Sequence, residues 1–145
     1  MLWLAARARL PAWSPLRRAR PLPIAAVVSS GGLQDLELVH EQQICGAETI
    51  EALIGYPTGP RIHLYADTSP AELGVGRDRE VLISGAEDTL APPALAAAYL
   101  AKMRPKGAKI EASVVSGAGH VELISPGTPA WDATVKVIQR LIAEQ

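Results

Sequence analysis

Three short segments rich in apolar and β-branched residues predict the strands of this protein. They cover residues 24–30 (IAAVVSS), 80–85 (EVLISG) and 109–117 (KIEASVVSG). The apolar residues of the first run are not separated by polar ones, which is typical of a strand buried on both faces in a parallel sheet. We predict the second segment as another buried strand and the third as a strand.

Helical patterns lie before and between these strands. Residues 2–10 (LWLAARARL) contain strong helix formers, and the pattern stops at Pro11. Residues 33–55 predict one or two helices that end before a glycine. The proline-rich and glycine-rich stretches at 11–23 and 56–79 are predicted to be mostly loop.

Two longer helices follow the second and third strands. Residues 92–103 favour a helix with Pro93 in its first turn, ended by Pro105. Residues 128–145 favour a helix capped by Thr128, with a proline at its first position. The expected buried faces are Leu95, Ala98, Tyr99 and Met103 on the former, and Trp131, Val135, Ile138 and Ile142 on the latter.

The order of these elements is β-α-β-α-β-α, which predicts an α/β fold with a three-stranded parallel sheet and right-handed crossovers. Residues 1–145 are predicted to form a single domain, because 145 residues are enough for one core. Three strands are few for a doubly wound sheet.

Composition and charge narrow the functional classes. The chain is 48% hydrophobic and 20% charged with a net charge of −1, which argues against a nucleic-acid or membrane-surface role for the whole chain. No run approaches the roughly 18 apolar residues of a membrane helix. Cys45 is the single cysteine, so it forms no internal disulfide, and we expect a small, buried or half-buried side chain in a reducing, cytoplasmic protein. No metal-ligand spacing is evident, and no cofactor is implied.

The first twenty residues carry five arginines, and no acid precedes Asp35. A secretory signal places its positive charge before an apolar stretch of roughly 7–15 residues, and the order here is reversed. The arginine-rich, acid-free composition fits a mitochondrial transit peptide, although this segment is poor in serine. That interpretation stays as an alternative.

Asp88 and His120 are the candidate catalytic residues. Each follows a predicted parallel strand, at the sheet edge where α/β proteins bind ligands. They are 32 residues apart, about one β-α-β unit, so their loops can meet. Gly117 and Gly119 allow the tight turn that presents an imidazole. An aspartate beside a histidine fixes the tautomer needed for base catalysis. The alternative is a turn-forming Asp88 and an ordinary loop histidine.

These segments resemble the C-terminal part of α/β-hydrolase-fold proteins of the esterase and lipase superfamily. Gly85-x-x-Asp88, followed by two prolines, is similar to the acid loop after strand seven, and Gly119-His120 to the histidine loop after strand eight. The family order is Ser, Asp or Glu, His. The resemblance implies strands six to eight of an incomplete hydrolase sheet, with Asp88 orienting His120, the general base, on carboxylic esters or related amides.

The nucleophile that this resemblance requires is missing from its expected motif. The chain contains no Gly-x-Ser-x-Gly. Ser29 and Ser30 are the nearest candidates, but Val28 would crowd the tight turn at Ser30. Asp35 is a rival acid, because some members of the superfamily place the acid after strand six, and we prefer to interpret it as a helix-start residue. The remaining histidines, His40 and His63, are expected at the surface without an acidic partner.

Residues 2–10 suit the helix that follows the nucleophile in the resembling proteins, so the chain is expected to be a truncated hydrolase, inactive alone. An uncovered edge of strand 24–30 would then favour self-association. One alternative is a non-catalytic α/β-hydrolase-like domain that binds a partner. Another is an imported α/β protein that loses its first twenty residues.

Overall fold

The computed structural model describes residues 1–76 and 79–144 as an α/β fold built on one parallel sheet. Its strands are β1 (Ala26–Ser30), β2 (Arg79–Gly85) and β3 (Lys109–Val115), in the spatial order β1-β2-β3. Both strand pairs are parallel and in register from their first residues, with Arg79 between Ala26 and Lys109. The predicted three-stranded parallel sheet is therefore confirmed, and all three carboxyl ends lie at one edge.

Five α-helices accompany the sheet in the described residues. They are α1 (Leu2–Ala5), α2 (Leu36–Glu41), α3 (Ala47–Ile54), α4 (Pro93–Met103) and α5 (Pro129–Ala143). Short 3-10 helices occur at Arg7–Arg9, Leu64–Asp67, Pro70–Glu72 and Arg104–Lys106. The predicted loop over 56–79 and the predicted last helix include positions 77, 78 and 145, which lie outside the described residues.

Capping side chains determine where two of the helices begin. Asp35 caps α2 by accepting a hydrogen bond from the Leu38 backbone N–H at 3.4 Å. Thr128 caps α5 in the same way, with the Trp131 N–H at 3.2 Å, and Pro129 takes the first position. Asp35 is therefore a helix-start residue, as preferred from the sequence.

The amino-terminal helix is shorter than predicted. α1 ends at Ala5, and a 3-10 turn continues the chain to Arg9. Leu10 is extended (φ −53°, ψ 145°), since a residue before proline is disfavoured in the helical region. Leu2 and Leu10 are buried nonetheless, so this segment is part of the folded protein.

The two faces of the sheet support separate apolar clusters. α1 and α4 pack on one face around Leu82, and α5 packs on the other around Ile83. A third cluster joins α2 and α3 to Leu95 of α4. Only β2 is buried along nearly its whole length, whereas β1 is half-buried and β3 is largely exposed. β1 is packed on both faces, by α1 on one and α5 on the other, but apart from Val27 its residues are only half-buried, and nothing in the described residues pairs with its outer edge.

In α4 three of the four predicted face residues are buried, Leu95, Tyr99 and Met103, whereas α5 presents a different face from the predicted one. In α4, Ala96 is buried and Ala98 is exposed. In α5, the buried residues are Ala130 and Leu141, while Ile138 and Ile142 are 42% and 65% exposed. The stripe of α5 on the sheet thus lies one residue earlier than predicted.

No helix in residues 1–76 and 79–144 combines the length and the apolar character that a membrane crossing requires.

Candidate active site at the carboxyl edge of the sheet

The loops after β2 and β3 are joined backbone to backbone. The N–H of Ala86 donates to the Val115 carbonyl, and the N–H of Glu87 donates to the Ala118 carbonyl, both at 2.9 Å. A Cβ atom on Gly85 would lie 2.3 Å from that Ala118 oxygen. Only glycine permits this approach, which brings the two predicted site loops together.

Asp88 is fixed in its loop by its own backbone neighbours. Its Oδ1 accepts hydrogen bonds from the backbone N–H groups of Leu90 at 2.9 Å and Ala91 at 2.8 Å. The residue is 3% exposed. Asp88 is therefore the turn residue of the alternative interpretation, and this turn leaves Oδ2 available for a second task.

That second task is a hydrogen bond with the imidazole of His120. The Nδ1 atom of His120 lies 2.8 Å from Oδ2 of Asp88. A carboxylate in this position favours the tautomer with its proton on Nδ1, which leaves the lone pair on Nε2. The His120 side chain is 38% exposed, and its Nε2 has no hydrogen-bond partner within residues 1–76 and 79–144. The structure thus brings the two predicted site residues together.

The electrostatics of the pair keep Asp88 ionised. Burial opposes ionisation, but the Ala91 N–H, the His120 imidazole and the Leu90 N–H together hold the pKa of Asp88 below its usual range. An ionised, buried carboxylate stabilises a positive imidazole beside it. Chemically, the arrangement can accept a proton at Nε2 and return it.

The histidine loop is held by residues that the sequence analysis did not single out. The Glu122 side chain folds back and accepts a hydrogen bond from the Gly119 N–H at 2.9 Å. The Thr128 hydroxyl donates to the Glu122 carbonyl at 2.5 Å and also caps α5. Leu123 is buried below the loop. An acid three residues after a glycine is too common a pattern to have indicated this support.

The structure does not bring the serine candidates to His120. The Ser30 hydroxyl lies 3.4 Å from that of Thr134 in α5. The Ser29 hydroxyl accepts a 3.4 Å hydrogen bond from the Gln34 side chain. Neither serine has a hydrogen bond to the imidazole among the described contacts.

The rival acid Asp35 is engaged elsewhere. It pairs with the Lys102 ammonium at 2.9 Å, and the same ammonium binds Glu72 at 2.7 Å. Burial lowers the pKa of Lys102, but its hydrogen bonds to Glu72 and Asp35 more than offset this and raise it. The oxygens of Asp35, Glu37 and Glu72 lie within 4.8 Å of one another. Because Lys102 supplies positive charge to two of these carboxylates, their convergence needs no metal ion.

The other reactive side chains fit the sequence expectations only in part. His63 is exposed, as expected. His40 is half-buried, with Nδ1 2.6 Å from the Tyr65 hydroxyl and Nε2 3.5 Å from a Glu51 oxygen, so the expectation of a surface histidine without an acid is wrong. Cys45 is exposed rather than buried, on a backbone with φ +63° that places it in a turn.

Comparison with known proteins shows likeness in structure alone. No protein-family model and no curated protein matches the chain. Esterase 2 of Thermogutta terrifontis, phosphonylated by sarin, superposes with a TM-score of 0.67 at 17% identity, over 99% of this chain and 53% of the esterase. The propionate-bound form of that esterase superposes with a TM-score of 0.65 at 16% identity, over 99% of this chain and 52% of the esterase. An acetyl ester-xyloside bifunctional hydrolase from Caldicellulosiruptor lactoaceticus superposes with a TM-score of 0.64 at 15% identity, over 98% of this chain and 53% of that hydrolase.

These matches define the fold. The chain has the α/β fold of part of an esterase, and it spans about half the length of the esterase structures that it matches. At identities of 14–17%, the likeness carries the fold and not the activity.

Proposed function

We propose that this chain provides the acid and the base of an esterase-like hydrolase that acts on carboxylic esters or related amides through a Ser-His-Asp mechanism. The observation that carries the proposal is the 2.8 Å contact between Asp88 and His120 at the carboxyl edge of an esterase-like sheet. In this proposal the nucleophilic serine belongs to a segment outside residues 1–145, since these contain no Gly-x-Ser-x-Gly.

The proposed roles follow from the atoms of the pair. His120 Nε2 removes the serine proton as the serine oxygen attacks the substrate carbonyl. Asp88 stabilises the resulting imidazolium through Nδ1 without taking its proton. His120 then returns the proton to the departing alcohol or amine, and a water molecule, deprotonated in the same way, releases the acid.

The test is hydrolysis of p-nitrophenyl acetate by two proteins. The 145-residue chain alone should show no turnover above its His120→Ala variant. The chain extended at its amino end by a segment with a Gly-x-Ser-x-Gly motif should turn over the ester. In that protein, Asp88→Asn should lower kcat on the order of 10⁴-fold and His120→Ala on the order of 10⁶-fold, and exposed His63→Ala should do neither. Turnover that survives His120→Ala would refute the proposal, and turnover by the short chain that Ser30→Ala abolishes would move the nucleophile to Ser30.

A second candidate function is a non-catalytic domain that binds a partner. It is favoured by the missing serine motif and by the Ser30 hydroxyl, which contacts Thr134 instead of His120. Labelling with a fluorophosphonate separates the two functions, because only an activated serine reacts. A longer protein that folds, lacks a reactive serine and binds a partner would be a binding protein.

We also propose that the isolated chain self-associates through β1. The outer edge of β1 has no strand partner in the described residues, and its five residues, AVVSS, carry no charge that would block pairing. Beside that edge, Ala26, Val28, Ile138 and Ile142 line an apolar groove of about 250 Å³. Two copies that pair along β1 would cover both features.

Sedimentation velocity over a hundredfold concentration range tests this association. Wild type should shift from monomer towards dimer, and Ile138→Glu with Ile142→Glu should remain monomeric. Leu53→Glu is the control, since this exposed leucine lies on α3, away from β1. A wild type that stays monomeric throughout would contradict the proposal.

For location we propose the cytoplasm, where Cys45, the single cysteine, would remain reduced. The transit-peptide alternative predicts cleavage near residues 20–23 on incubation with isolated mitochondria. Mass spectrometry of the recovered protein distinguishes the two, since an intact amino terminus contradicts import with cleavage.

A further inference from the structure

The first residue after β1 lies directly against the His120 ring. Gly31 continues the sheet by donating its N–H to the Ile83 carbonyl at 2.9 Å, and its φ is +58°. A Cβ atom on Gly31 would lie 3.1 Å from both Cε1 and Nδ1 of His120, and 2.9 Å from a methyl group of Leu123. Other described glycines with positive φ would meet nothing closer than 3.5 Å.

Because Gly31 has no side chain, the His120 ring occupies the space that a Cβ atom would fill. Nδ1 is the atom that bonds to Asp88 at 2.8 Å, so a push at the Nδ1–Cε1 edge acts on that hydrogen bond. The neighbouring Leu123 is buried and offers little space for the ring to shift. Because the Gly31 N–H is hydrogen-bonded into the sheet, its backbone is held in place as well.

We propose that Gly31 is a positioning residue for His120: its bare backbone forms a wall that holds the imidazole in the orientation in which Nδ1 reaches Asp88. Within the proposed catalytic pair Gly31 lies against the histidine alone, and it takes no part in the chemistry. The inference deepens the proposed function and rests on it for its catalytic meaning. The hydrogen bond between His120 and Asp88 can nevertheless be measured in the 145-residue chain alone.

The experiment compares Gly31→Ala with a control of matched backbone strain. Gly59 has φ +50° and open space around it, so Gly59→Ala adds the same strain without a contact. Proton and nitrogen NMR report the His120 Nδ1–H hydrogen bond, and carbon NMR reports the Asp88 titration. Gly31→Ala should weaken the Nδ1–H signal and raise the pKa of Asp88, while Gly59→Ala should leave both unchanged.

Two further variants keep the test decisive if Gly31→Ala folds poorly. Gly31→Asn adds a Cβ atom with a residue that tolerates positive φ, so it should perturb the hydrogen bond with less strain. Gly31→Ala should cost less stability in a His120→Ala background than in wild type, because the contact with the ring is gone while the contact with Leu123 remains. An equal cost in the two backgrounds would overturn the proposal.

Two other outcomes also test the positioning role of Gly31. A folded Gly31→Ala protein with an unchanged Nδ1–H signal and an unchanged Asp88 titration would refute the positioning role. In an extended, active enzyme, Gly31→Ala should lower kcat on the order of 100-fold with KM unchanged. If that enzyme loses nothing although the hydrogen bond is disturbed, the proposed function of His120 fails and the positioning of its ring stands.

Discussion

Replacing Asp88 by alanine removes three hydrogen bonds from the carboxyl edge of the sheet. Two come from the backbone N–H groups of Leu90 and Ala91, and the third joins the carboxylate to His120. The Ala91 N–H is buried, the Leu90 N–H is half-buried, and the imidazole is 38% exposed. The three groups therefore differ in how well water can replace the lost carboxylate.

The expected cost follows from those exposures. A buried donor left without a partner costs about 1–3 kcal/mol, so the Ala91 N–H contributes about 2 kcal/mol and the wetter Leu90 N–H less than ~1 kcal/mol. The exposed imidazole can hydrogen-bond to water instead, so its lost contact adds only a few tenths of a kcal/mol. The total loss of unfolding free energy is therefore about 3 kcal/mol. For a chain of 145 residues, where 1 kcal/mol shifts Tm by roughly 2–4 °C, Asp88→Ala should lower Tm by about 6–12 °C.

Urea and thermal unfolding, followed by circular dichroism at pH 7, measure this difference. Asp88→Asn is the matched control, because its amide oxygen can still accept from Leu90 and Ala91. Its amide N–H₂ faces the histidine in place of the carboxylate, so it should cost only about 1 kcal/mol while removing the preferred tautomer of His120. The two variants separate the turn-forming role of Asp88 from its charge.

An Asp88→Ala protein within about 0.5 kcal/mol of wild type would refute this reasoning. It would mean that the Leu90 and Ala91 N–H groups find other partners when the carboxylate is gone. Equal losses in Asp88→Ala and Asp88→Asn would instead place the stabilisation in the contact between the carboxylate and His120 and not in the turn.

The remaining predictions concern pH and two packed positions. The pKa of folded Asp88 is lowered, so the ionised carboxylate stabilises the protein fully above the ordinary aspartate pKa of about 4. This stabilisation is lost as the pH falls through the folded pKa. Urea midpoints measured between about pH 6 and pH 2 should therefore fall more steeply in wild type than in Asp88→Asn. Gly85→Ala forces a methyl group against the Ala118 carbonyl and should cost about 3 kcal/mol or more in urea unfolding, whereas a wild-type midpoint would show that the loops can separate freely. Tyr99→Phe removes the 2.8 Å hydrogen bond to buried Glu80 and should cost about 1.5–3 kcal/mol, with a loss under ~0.5 kcal/mol contradicting that value.

The sheet and the acid–histidine pair were predictable because local signals determine them. Compact apolar runs marked the strands to within two residues, and prolines and Thr128 marked where α4 and α5 begin. The β-α-β spacing between Asp88 and His120 then placed both residues at one edge. The 2.8 Å contact follows from parallel pairing, which puts the ends of adjacent strands side by side.

What the sequence could not supply depends on contacts between distant segments. The apolar face of α5 admits two neighbouring stripes, and only packing against the sheet selects the one with Ala130 and Leu141. Gly31 looked like the end of a strand, since nothing local shows that His120, 89 residues later, would lie against it. The exposure of β3 likewise depends on what packs beside it and not on its own residues.

The amino-terminal segment has a consequence for how the protein responds to proteases. Its first ten residues are anchored by buried Leu2 and Leu10 and by the Trp3 indole N–H, which donates to the Asp67 carbonyl at 2.8 Å. The connection that follows exposes Arg17, Arg18 and Arg20 to solvent. Trypsin should cut first after Arg17 or Arg18, since Arg20 precedes Pro21, and leave a nicked protein whose short piece remains bound without a covalent link. Any cellular process that detached that piece would open the core around β1 as well as shorten the chain.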